Sequence, residues 1–459
     1  MSATTLLAEA VNGAGVAPRP ENHPRLADMV LDVLGCTLAG VGERAPRACR
    51  DGAVAAPGDA TVFGTGTGLA PADAALANGA AAHALDFDDV QQPWFGHPSA
   101  VLVPAVWAAA DVESARGRPV TGADVLEAVH TGLVVGDGIG ALLNTAHYDA
   151  GWHPTGTIGT LAAAAATAHL WGLDVRQTAD ALGLAAASSG GLRVSFGSDA
   201  KPLQAGLAAR AGLTAAGLAR AGARSAAETI EGAHGFAATH GAAGAITSTL
   251  LADALEVARD QALARISFKR YPSCSATNAA LDGVLELRAE CGGRTVRTIA
   301  CEIDPLAVRL LVHHRPEVPA QAKFSLEYCL AAAWVRGHLD LTDFTPEAVA
   351  DPRVRDLMDR IAVRPAGPMV STGDFPAHLT VTFDDGTTAT RHVLRAQGRP
   401  ELPLGRAALQ DKFAANVAHH PAWLAAGDMI LSLPDCDDLR VVSDILRRQA
   451  PATTKESVR

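Results

Sequence analysis

Hydrophobic positions between residues 20 and 265 recur with the period of a helix. In RLADMVLDVLGCTLAGVG (25–42), Leu26, Met29, Val30, Val33 and Leu34 fall three and four apart, on one face. The same spacing predicts helices near 101–112, 122–137, 157–172, 177–187, 203–222 and 245–258. Glycines fall between them, where helices end most easily. Strand-type alternation is absent before about residue 290. It then sets in with TVRTIACEI (295–303), rich in β-branched residues, and HLTVTFDDGTTATRHVL (378–394). In the latter, two alternating runs flank Asp385-Gly386, a pair suited to a hairpin turn. IAVRP (361–365) reads as a third strand, with helical patterns between at 324–337 and 347–360.

The change of period divides the chain. Residues 1–265 predict the first part of a large helical domain. Residues 266–400 predict a smaller α+β domain inserted in it, and 401–459 a helical return onto the large body. The fold class is thus mainly α with a smaller α+β domain. The tail PATTKESVR (451–459) is polar and expected to fray.

Composition sharpens this picture. The 459 residues are 48% hydrophobic and 19% charged, enough to bury a substantial core. Aromatics are scarce and Ala and Gly abundant, which suits closely approaching helices. A net charge of −11, with no Lys/Arg-rich block, argues against nucleic acid and anionic membrane as partners. Seven scattered cysteines without a CxxC pair suit reduced thiols and a cytoplasmic location. The start, MSATTLLAEAVNGAGVAP, lacks the basic and apolar regions of a secretory signal. The apolar run at 157–171 is too short to span a bilayer.

Against this background, rare residues mark candidate chemistry. The 38 basic residues include only five lysines, at 201, 269, 323, 412 and 455, so 33 are arginine. Lys201 lies in SSGGLRVSFGSDAKPLQAG (188–206) and Lys269 in SFKRYPSCSATN (267–278). A lysine is a compact charge whose pKa responds to burial, whereas arginine is bulkier and stays protonated. At least one of Lys323 and Lys412 is expected to be ordinary surface. Two histidines, His97 in HALDFDDVQQPWFGHPSA (83–100) and His153 in YDAGWHPTGTIGT (148–160), precede proline, which presents each imidazole from a loop. The first stretch also carries Asp86, Asp88 and Asp89, residue types that serve equally as helix caps. The three tyrosines, Tyr148, Tyr271 and Tyr328, lie in or beside these stretches, where they serve either packing or a site. The acidic run with two histidines could hold a divalent ion, but HxH, HExxH and CxxC spacings are all absent.

In order and spacing, HALDFDD…HPS, WHPTGTIGT, DAKPLQAGLAARAG, KRYPSC and FSLEY together resemble the MmgE/PrpD family, which includes 2-methylcitrate dehydratase, cis-aconitate decarboxylase and iminodisuccinate epimerase. The resemblance runs from the helix near 25 to PLGRAALQDKFAANV (403–417). It implies a homodimer whose subunits have a large all-helical domain and a smaller α/β lid. It also implies a site between the two domains that needs neither metal nor organic cofactor. The family's site residues match Asp86, His97, His153, Lys201, Lys269 and Tyr328. Three positions depart from the decarboxylase branch. Cys274 and Asn278 stand where histidines are common, and Val90 where that branch has threonine.

The expected activity is that of a lyase of the hydro-lyase type, moving a proton at a carbon next to a carboxylate of a small di- or tricarboxylate. Asp86, His97, His153 and Lys201 are the candidate catalytic residues, with His97 the principal acid/base and Asp86 its partner or a second base. Lys269, Cys274, Tyr328 and Arg193 are candidate substrate-binding residues. Epimerisation of a dicarboxylate such as iminodisuccinate, cis-aconitate-type decarboxylation and a non-catalytic homologue are the alternatives. A metal-dependent hydrolase built on DFDD, His97 and His153 is a reading of another class, distinguished by its sensitivity to chelator.

Overall fold

The computed structural model describes residues 1–449 apart from 14, 15, 17, 18, 53, 293, 368–372 and 419. The expected fraying of 451–459, Lys455 included, lies outside the described residues. The chain forms two compact units. The larger comprises Met1–Ala84, Asp88–Ile266 and Gly405–Arg459, and the smaller Leu85–Phe87 and Ser267–Leu404.

The larger unit is helical. Helix Ala200–Arg220 packs on Pro71–His83, Pro154–Leu170 and Val175–Ser188, while His23–Gly40 packs on Arg406–Val417 from the C-terminal return. Small side chains make these crossings possible. A Cβ on Gly206 would lie 2.2 Å from the Leu76 carbonyl oxygen, and one on Gly79 would lie 2.8 Å from Gly206 Cα. Helices that bring backbone this close to backbone exclude even alanine at the crossing point.

Three features of this unit differ from the sequence expectation. Helix Pro71–His83 carries no readable stripe because ten of its thirteen residues are buried, so its apolar positions run all round. A short antiparallel hairpin pairs Pro57–Thr61 with Gly68–Leu69 well before residue 290. With strands this short and glycine-rich, alternation has no length in which to show. Gly122–Leu143 is long and apolar enough to cross a membrane by length and composition, and 83% of its apolar window is buried inside the protein.

The smaller unit is built on a four-stranded sheet in the order Ile361–Pro365, Val296–Ile303, Ala377–Phe383, Thr388–Val393. The first pair is parallel and the other two are antiparallel. All three expected strand regions are present, and the hairpin turns at Asp385-Gly386. Alternate residues Ile299, Cys301, Ile303, Leu379, Val381 and Phe383 point into one core. Helices Asn278–Cys291 and Leu326–Arg336 supply Leu281, Val284 and Leu330 to it. The helical pattern at 347–360 is broken into Pro346–Val349 and Pro352–Met358, where Asp351 caps a new start at Pro352.

Candidate active site

In the larger unit, two His-Pro sequences start two buried helices. His97 is the N-cap of Pro98–Ala115, and His153 is the N-cap of Pro154–Leu170. Proline at the first helical position fixes the turn and has no N–H to leave unsatisfied. The starts are tied together, since the His97 amide donates to Thr155 Oγ1 at 3.1 Å.

Asp88 sits between two imidazoles. His83 Nδ1 lies 3.0 and 2.9 Å from its two oxygens, and His97 Nδ1 lies 3.2 Å from Oδ2. The Asp88 side chain is fully buried, and the two rings are 4.2 Å apart between centroids. Burial alone would raise the Asp88 pKa, but the adjacent His83 and His97 hold it well below the carboxylate range. Next door, Asp89 accepts from Ser99 Oγ at 2.5 Å and Ser99 N at 3.2 Å. Burial raises its pKa to about 8 despite these bonds, so it holds a proton at neutral pH. Asp88 is thus a carboxylate at ion-pair distance from His97, a pairing the sequence reading did not single out.

His153 Nδ1 meets Gln204 Oε1 at 2.7 Å. Burial, then Lys201, His83 and His97, push its pKa well below the usual value, so it is neutral at pH 7. Lys201 is 5% exposed and lies one turn before Gln204 on Ala200–Arg220, its Nζ 5.2 Å from the Phe196 ring centroid. A cation at the start of a 21-residue helix faces the positive end of the helix dipole, so helix stability does not explain it. Arg193 donates to the Tyr148 carbonyl at 2.7 Å, and its guanidinium lies 3.7 Å from the Tyr148 ring centroid. It braces the loop ahead of His153 and so acts on the site through that loop.

In the smaller unit, Lys269 is 3% exposed and donates to the Asp86 carbonyl at 2.6 Å, with Asp86 Oδ1 at 3.1 Å. Asp86 has φ +52°, a strained conformation for a residue other than glycine. Cys274 is half-buried, its amide donating to the Lys323 carbonyl. Asn278 Nδ2 donates to the Cys274 carbonyl at 3.2 Å. Tyr328 differs from its expected role as a donor to substrate. It is fully buried in the core, and its hydroxyl donates to the Asp343 carbonyl. Tyr271 is likewise structural, donating to Asp282 at 2.8 Å.

Lys323 and Lys412 overturn the surface expectation. Lys323 is 6% exposed and donates to the Pro272 carbonyl at 2.8 Å. Lys412 pairs with the fully buried Asp32 at 2.7 Å, its own side chain 7% exposed. Every described lysine is therefore interior. Sequence reasoning also passed over His83 and Gln204. His83 opens the HALDFDD stretch, but its burial in a helix without a stripe hid its direction.

Chemically, the larger unit combines an imidazole held by a buried carboxylate, a second imidazole kept neutral, and a buried ammonium. This set can transfer protons and hold an anion. His83, Asp88 and His97 are also among the groups able to ligate a divalent ion, and here Asp88 is hydrogen-bonded to His83 and at ion-pair distance from His97.

Comparison with known proteins agrees with the motifs. Residues 7–247 match the MmgE/PrpD N-terminal domain and residues 271–426 the MmgE/PrpD C-terminal domain. Human cis-aconitate decarboxylase is 26% identical over 396 residues, covering 83% of this chain and 81% of the relative. Cis-aconitate decarboxylase of Aspergillus terreus is 26% identical over 446 residues, covering 91% and 90%. A cis-aconitate decarboxylase-like protein of Aspergillus oryzae is 28% identical over 402 residues, covering 82% of each. With both domain models matched in order along most of its length, the chain belongs to the MmgE/PrpD family.

Proposed function

We propose that the protein is an enzyme, a lyase that transfers a proton at a carbon next to a carboxylate of a small di- or tricarboxylate. The observation that carries this reading is the buried Asp88 joined to His83 and His97, in the same unit as a neutral His153 and the ammonium of Lys201. Removing a proton next to a carboxylate builds charge on a group already anionic, so cations and donors must be in place beforehand. Lys201 serves as a carboxylate clamp, and Lys269 as a second cation held by Asp86. His97, oriented through Nδ1 by Asp88, presents Nε2 as the acid/base.

Dehydration is the first reading. A base takes the carbon-bound proton, that electron pair forms the double bond, and the hydroxyl leaves as water with a proton from the acid. His153 is suited to be the base because it is neutral, and His97 to be the acid because Asp88 stabilises its imidazolium. Decarboxylation is the second reading, favoured by the names of the relatives. There the bond to CO2 breaks and the acid protonates the carbon. Cys274, Asn278 and Val90 weigh against it, since the notable departures lie in the segments that otherwise match.

Proton NMR in D2O, with citrate, 2-methylcitrate, cis-aconitate and malate, tests the proposal. Loss of water, loss of CO2 and simple exchange give different products, so one experiment separates lyase from isomerase. Activity on one acid that is abolished in His97→Ala and survives dialysis against EDTA is the expected result. Inert, well-folded protein with all four acids would overturn this substrate class.

A further inference from the structure

The smaller unit holds a buried guanidinium with no carboxylate in ion-pair contact among the described residues. Arg399 is 3% exposed. Its Nη2 donates to the Gly373 carbonyl at 2.9 Å, and the guanidinium carbon lies 5.5 Å from the Phe375 ring centroid. Nη1 is buried and makes no hydrogen bond, and among the described residues no carboxylate lies at ion-pair distance from Arg399. The carboxylates of Asp374 and Glu401 act on it from beyond ion-pair distance. Both carboxylates are engaged by Arg395, with Asp374 at 3.0 Å and Glu401 at 3.8 Å from its Nε.

The segment that carries Arg399 is joined through its backbone to the segment that carries Lys269. The Phe268 amide donates to the Gly398 carbonyl at 2.9 Å, so Lys269 and Arg399 are the next residues on two joined segments. The junction requires glycine. Gly398 has φ +92°, and a Cβ there would lie 1.9 Å from the Phe268 carbonyl oxygen. The contact therefore fixes where residue 399 departs.

A guanidinium taken out of water with no carboxylate in direct contact is costly, and a ligand carboxylate would supply that contact. We propose that Arg399 is a substrate-binding residue, pairing through its unbonded Nη1 with a carboxylate of the ligand and working with Lys269. The chemical class it takes is a di- or tricarboxylate, because Lys269 and Arg399 together can hold separate carboxyl groups. Arginine suits the task, since its planar fork matches a carboxylate. This inference rests on the polycarboxylate reading of the site.

Thermal unfolding with and without citrate, cis-aconitate and malate tests it on wild type, Arg399→Met and Arg399→Lys. Wild type should be stabilised by at least one acid. Arg399→Met should keep or raise the melting temperature of the protein alone, because a buried charge with no carboxylate in direct contact is removed, and should lose the acid-induced rise. On the substrate that turns over, its KM should increase about 10- to 100-fold, with kcat changing far less. Arg399→Lys should recover part of the response. If wild type and Arg399→Met respond equally to an acid, or if Arg399→Met melts lower alone with KM unchanged, Arg399 is a packing residue and the inference is wrong. If wild type responds to none of the acids, the substrate class itself fails and Arg399's assignment fails with it.

Discussion

Replacing Asp88 by asparagine is the sharpest perturbation of the proposed proton-transfer machinery, because shape is preserved and charge is not. The carboxylate is hydrogen-bonded to His83 Nδ1 at 2.9 Å and lies at ion-pair distance, 3.2 Å, from His97 Nδ1. An amide keeps an acceptor oxygen but carries no negative charge, so the imidazolium of His97 loses its ion-pair partner. At 3.2 Å and an effective dielectric of about 20, two unit charges attract by roughly 5 kcal/mol. His83 shares the same carboxylate, so about half of that is a fair measure for His97. At 1.36 kcal/mol per pKa unit, the imidazolium of His97 should become easier to deprotonate by roughly 2 units. The kinetic limb that reports His97 should therefore move about 2 units toward lower pH. Turnover should fall about 10³- to 10⁴-fold, as when other catalytic histidines lose their carboxylate partner. The assays are kcat against pH and ring-nitrogen NMR of the histidines in both proteins. A folded Asp88→Asn variant with the wild-type pH profile and turnover would refute the proposed coupling of Asp88 to His97.

Other outcomes follow from the same geometry. Lys201→Arg should fold normally yet lose turnover by at least about 100-fold, because the larger planar cation cannot occupy a 5%-exposed position at a helix start; circular dichroism and a turnover assay check both halves. Asp89 has a folded pKa near 8, so it keeps a proton that the unfolded chain gives up above pH 4, and its effect on stability worsens as pH rises from about 4 to 8. Asp89→Asn should therefore gain at least about 1 kcal/mol at pH 8 and almost nothing at pH 4, as read from urea titrations; an equal effect at both pH values would contradict the assignment. Lys412→Met leaves Asp32 buried without its ammonium and should cost about 3–5 kcal/mol, while Lys412→Met with Asp32→Asn should recover most of the loss in the same titrations.

Legibility in the sequence followed exposure. The hairpin across Asp385-Gly386 and the strand at 361–365 could be read because one face of that sheet is polar. Pro71–His83 could not, because a helix buried all round leaves no polar side to set its phase. The site followed the same rule. His97 and His153 stood out through the prolines that follow them, and Lys201 and Lys269 through the scarcity of lysine. His83 and Gln204 have no such local mark. They matter because Asp88 and His153, distant in sequence or screened by the fold, come to face them. Tyr328 misled for the complementary reason: rarity marks a residue as constrained, and a core hydroxyl bonded to the Asp343 carbonyl is constrained as strictly as a ligand-binding one.

The interior position of the lysines also decides how this protein will respond to amine chemistry. Among residues 1–449, each ε-amine is under a tenth exposed: Lys201 at 5%, Lys269 at 3%, Lys323 at 6% and the Lys412 side chain at 7%. Its surface cations are guanidinium groups, which acylating reagents, reductive methylation and amine cross-linkers leave untouched. Surface immobilisation through amines will find few handles in the folded body. A reagent small enough to enter will instead report directly on Lys201 and Lys269. The extent of their labelling, with and without a carboxylic acid present, becomes a footprint of ligand occupancy that needs no knowledge of the reaction.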